Sequence, residues 1–147
     1  MDGAQMAKPI TVEADPRPRV GETEKLTINL GVVDLGQVDL LVQEGFYSNR
    51  TDLIRPAIRN QLSVHEETVR ESVSRRSLVL GLRHVDREEL ERLKAAGATL
   101  DLRVVGLARI DESVSPALAR ATIRSVKVLG ALEASPAVRK ALAERIA

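Results

Sequence analysis

Residues 24–62 read EKLTINLGVVDLGQVDLLVQEGFYSNRTDLIRPAIRNQL, and they hold two periodicities in succession. Lys25, Thr27 and Asn29 alternate with Leu26, Ile28 and Leu30, a period of two that makes a strand with one polar and one apolar face. Six residues can neither satisfy their own backbone nor bury their own face. No second strand follows before a helical pattern begins, so the partner strand is expected from another copy of the chain. Leu35, Val38, Leu41 and Val42 then recur at helical spacing between Asp34 and Glu44, with Gly45 as the stop. After Gly45-Phe46-Tyr47-Ser48, the segment Asn49-Arg50-Thr51-Asp52 reads as a capping box with Asp in its fourth place. The second helix carries an apolar stripe of Leu53, Ile54, Ala57, Ile58 and Leu62, continued by Val69 and Val73 toward Arg76. Pro56 removes one of its hydrogen bonds and is expected to bend it or loosen its first turns.

Paired antiparallel across a two-fold axis, two such strands form a ribbon with six polar side chains outward and helices behind. Such a ribbon fits a DNA major groove, where Lys donates to guanine, Asn pairs with adenine and Thr contacts bases or methyl groups. The start of the second helix, at Asn49, Arg50 and Thr51, suits a backbone phosphate.

The stretch EKLTINL followed by GFYSNRTDLIRPAIRNQL resembles the ribbon-helix-helix family of Arc, MetJ and CopG-like repressors, in which an alternating strand precedes a G-x-x-S/N-R-S/T-D/E-x-I-R-x-A-I-R helix. The likeness covers about 40 residues. It implies a homodimeric regulator of transcription whose partner is double-stranded DNA, with Lys25, Thr27 and Asn29 reading bases. Ser48, Asn49, Arg50 and Thr51 take the phosphate-binding places, and Leu26, Ile28, Leu30, Leu41, Ile54 and Ile58 the core. Pro56 departs from the helix-favouring residue usual there.

On the C-terminal side, Gly81, Gly106 and Gly130 recur 25 and 24 residues apart, each after a short apolar run. Helical stretches follow at Asp86 to Ala95, Ser115 to Ala121 and Ser135 to Ala143, and Pro116 and Pro136 each stand just after a Ser suited to capping. Three strand-turn-helix units are expected, each strand ending at its glycine, stacked as a small α/β solenoid. The expected fold class is α+β. Residues 1–22 form a flexible arm, 23–64 the ribbon-helix-helix domain, 65–76 a helical connector and 77–147 a three-repeat domain for oligomerisation or protein interaction.

Composition bounds the rest. Among the 147 residues, Phe46 and Tyr47 are the aromatic ones and Trp is absent, so the core is aliphatic. There is no cysteine, hence no disulfide, thiolate site or thiol nucleophile. His65 and His84 lack companions at metal-ligand spacing, so neither metal nor cofactor is expected. No apolar run is long enough for a bilayer, and a cytoplasmic location is expected. Acid pairs such as Glu88-Glu89 and Asp111-Glu112 belong to solvated faces, phosphate loops and nucleophile elbows are absent, and no enzyme is expected. Net charge is +1 overall, and residues 23–64 carry four cations against five anions. Non-specific affinity for DNA is therefore low, and specificity rests on the ribbon. Two other roles fit parts of the pattern: a scaffold polymerising through the repeats, and an antitoxin repressing its own operon.

Overall fold

The computed structural model describes residues 22–147; all but the last residue of the expected N-terminal arm lies outside them. Three helices come first: α1 (Val32–Gln43), α2 (Arg50–Val64) and α3 (Glu66–Arg75). Three strand–helix pairs follow, β1 (Val79–Val85) with α4 (Arg87–Ala95), β2 (Leu100–Ile110) with α5 (Pro116–Thr122), and β3 (Ile123–Glu133) with α6 (Pro136–Ala141). The architecture is α+β.

The helix ends follow local chemistry. Gly45, at φ 86°, closes α1 with hydrogen bonds from its own N–H to Val42 and from the Phe46 N–H to Leu41, the paired pattern that satisfies the last carbonyls of a helix. Helix α1 starts two residues before the expected Asp34. Asn49 caps α2, its Oδ1 accepting from the Asp52 N–H at 2.9 Å. Pro56 lies inside α2, which stays helical to Val64. The helical stripe does not run unbroken to Arg76, because the chain turns at His65, which ends α2 and starts α3. Asp86, Ser115 and Ser135 cap α4, α5 and α6 with side-chain oxygens, and Pro116 and Pro136 take first-turn places where no N–H is required.

The strands run parallel in the order β1-β2-β3. The expectation that each strand stops at its glycine is corrected: Gly81, Gly106 and Gly130 lie inside the strands, paired with one another in register. All three have φ between 120° and 135°, a conformation open to glycine. A Cβ on Gly106 would meet the Gly81 carbonyl oxygen at 2.2 Å, and one on Gly130 the Gly106 carbonyl oxygen at 2.1 Å. A sequence pattern shows that a glycine breaks the apolar run, but not that the run resumes with the same ladder beyond it.

Val85, Leu90, Leu102, Val104, Ala108, Ile110, Val114, Leu118, Ala119, Ile123, Val126, Val138 and Leu142 form one buried cluster between the sheet and α4, α5 and α6. Burial of each larger aliphatic side chain stabilises by about 1.5–3 kcal/mol. Thr122, the buried polar residue, donates from its hydroxyl to the Leu118 carbonyl at 2.7 Å. Charged pairs cross the strand ends. Arg109 meets Glu133 at 2.7 Å, and Asp101 accepts from Arg124 and from the Ser125 hydroxyl. By contrast, α1, α2 and α3 contain no buried residue.

Gly106→Ala is expected to lose about 3 kcal/mol of stability, from backbone strain and the clash with the Gly81 carbonyl together, measurable as a lowered urea midpoint. The hydrogen bonds from Arg124 and Ser125 hold the Asp101 carboxyl at about 2, below its ordinary 3.8. A carboxylate with a depressed folded value stabilises above its unfolded pKa, and that contribution disappears as pH falls through the folded one. Asp101→Asn therefore lowers the melting temperature at pH 7, and the gap to the parent chain closes between pH 4 and pH 2.

Candidate nucleic-acid interface

The strand expected at Lys25 to Leu30 is not formed in the single chain: residues 25–30 carry no regular secondary structure and have no partner strand among the described residues, whose ladders are those of β1, β2 and β3. Leu26 and Ile28 stand 79% and 59% exposed, and Leu30, Leu41, Ile58 and Leu62 are exposed as well. Leu53 and Ile54 are half-buried. The apolar side chains of this half thus share a module without closing a core in one chain. Lys25, Thr27 and Asn29, on the alternate positions, are exposed. No hydrogen bond or ion pair joins them to the start of α2 among the described residues.

At that start, the cap by Asn49 fixes the first turn, and the N–H groups of Arg50 and Thr51 face outward with no intrahelical acceptor, as in any helix beginning. Ser48, Asn49, Arg50 and Thr51 are all exposed there. The macrodipole adds partial positive charge at the same place. An anion of phosphate geometry fits this end, although Asp52 in the first turn offsets part of the field.

Arg50 has an additional role. Its Nε donates to Asp39 Oδ1 at 2.8 Å and its Nη2 to Asp39 Oδ2 at 2.9 Å, a two-pronged pair that ties α2 to α1. The hydrogen bonds from Arg50 hold the Asp39 carboxyl below the usual carboxylate range, and the same contact raises Arg50. Both side chains are about half exposed, so the guanidinium stays accessible from solvent while paired. Sequence reasoning assigned Arg50 to phosphate and did not find this pair: its partner is 11 residues away on another helix, outside any helical spacing. Arg55 and Arg59 are exposed on α2 and form no ion pair among the described residues, which leaves two further cations on this helix.

No group of three or more His, Cys, Asp or Glu side chains suited to a metal occurs among the described residues, and no described helix is long and apolar enough to cross a membrane. His84 instead lies 3.6 Å from Asp111.

A family model described as "Ribbon-Helix-Helix transcriptional regulator family" matches residues 21–139. No curated protein and no solved structure matches the chain.

The Arg50–Asp39 pair makes opposite outcomes testable. Asp39→Ala frees the guanidinium and removes an anion, and is expected to raise affinity for duplex DNA several-fold. Arg50→Ala is expected to lower it by a similar factor and to flatten the salt dependence by about one phosphate contact. Fluorescence anisotropy across a salt series measures both.

Proposed function

This chain belongs to the ribbon-helix-helix transcriptional regulator family, whose role is DNA binding in the control of transcription, and on that premise we propose that it is a sequence-specific repressor acting as a homodimer. Lys25 to Leu30 of two copies pair antiparallel, and the resulting ribbon enters the major groove with Lys25, Thr27 and Asn29 of each copy on base edges. Ser48, Asn49, Arg50 and Thr51 hold the flanking phosphates at the start of α2. A dimer seated in this way blocks the promoter it covers.

The observation that carries this reading is the lack of a closed core in the N-terminal half. No residue of α1, α2 or α3 is buried, while Leu26, Ile28, Leu30 and Ile58 are presented to solvent. Adding a second copy supplies both missing parts at once, a ladder for the strand backbone and an apolar surface for its inner face. Residues 23–64 are accordingly the reading and dimerising module, 65–76 the connector, and 77–147 a short solenoid-like domain built from three repeats. Chemistry is not part of this role, since the family is one of regulators.

The test uses the full chain and DNA from its own promoter region. Changing Lys25, Thr27 and Asn29 individually to Ala is expected to cost about 1–3 kcal/mol of discrimination each, with the dimer intact by light scattering. Equal affinity of parent and variants for promoter and unrelated DNA would remove base readout by the ribbon. Ile28→Glu is expected to abolish the dimer and DNA binding together, because it places a charge on the face that the second copy covers.

A further inference from the structure

The sheet treats its two edges differently. On the β3 side, Ile146 bridges Val126, the Ala147 N–H donates to the Val126 carbonyl at 2.9 Å, and Arg145 donates to the Ile123 carbonyl at 2.7 Å. The end of the described chain thus covers the start of that edge, from Ile123 to Val126. The β1 side has no such cover among the described residues. Val79 is 47% exposed where its register partner Val104 is fully buried, and Leu82 is 53% exposed where Leu107 is at 9%. The residue types are the same in each pair, so the difference comes from the missing neighbour beyond β1.

An uncovered edge strand is ordinarily blunted by charge or proline. In β1 the basic residues are Arg83, paired with Glu89, and His84, beside Asp111, both in the second half of the strand, while Val79-Leu80-Gly81-Leu82 contains neither charge nor proline. We infer that this β1 edge pairs with the β1 edge of the second copy in the ribbon dimer, joining the two three-stranded sheets into one. The inference rests on the ribbon dimer proposed above.

Three observations select that occupant. The two-fold axis that relates two ribbons also relates two β1 edges, and an edge meeting its own copy gives a closed contact. Helix α3 leads into β1 through Arg76–Leu78 without a flexible linker: Ser77 at φ 53° and the bonds Ser77 N–H to Ser74 and Leu78 N–H to Val73 close the helix, while the Arg103 guanidinium donates to the Arg76 carbonyl at 2.8 Å. The dimer therefore holds both edges at high effective concentration. The alternative, β1 of one molecule on β3 of the next in an open stack, meets the covering by Ile146 and Ala147.

The parent chain has no cysteine, so a single introduced thiol carries a spin label cleanly. With the label at Leu80→Cys, and in a second preparation at His84→Cys, electron–electron resonance on the full chain is expected to give one short, narrow distance between copies. An Arg139→Cys label on α6 gives a longer one. Adding Val79→Lys to either β1-labelled chain lengthens and broadens the distance while light scattering still reports a dimer. A dimeric mass with long, broad distances at both β1 labels overturns the edge pairing alone, as does a short distance unmoved by Val79→Lys. A monomeric parent chain overturns the ribbon dimer and the edge pairing with it.

Discussion

An alternating segment whose backbone and apolar face find no partner among the described residues sets the terms for the N-terminal half of this protein. Lys25 to Leu30 has no ladder among the described residues, and its apolar residues, together with Ile58 and Leu62 of α2, are exposed. Buried backbone groups must be paired and exposed apolar faces favour association. In the proposed dimer a second copy supplies both the ladder and the covering surface, so that folding and recognition would share one interface.

The C-terminal half solves the same difficulty internally. Each strand delivers its neighbour's hydrogen bonds, and three capped helices cover one face. The register is pinned at one row, where glycines allow the carbonyls of Gly81 and Gly106 to approach the next strand's Cα more closely than any Cβ would permit. A slip of one residue would bring a side chain into that contact and turn the apolar positions of the strand to the wrong face.

Electrostatics is tuned rather than strong. Residues 23–64 are close to neutral, and Arg50, at the α2 start, is already engaged by Asp39. The pair ties α1 to α2 and partly neutralises the guanidinium.

The sequence by itself determined the local structure: the cap at Asn49, the stop at Gly45, the first-turn prolines Pro116 and Pro136, and the threefold recurrence of strand and helix. Each of these is written within a few neighbouring residues, because caps, turns and periodicity depend on dihedrals and spacings along one segment. The tertiary structure alone decided that the strands continue through their glycines, that Arg50 belongs to Asp39, that His65 divides α2 from α3, and that one sheet edge is covered while the other is bare. Those outcomes depend on which distant segments come within hydrogen-bonding range, and no local pattern specifies a partner that lies elsewhere in the chain.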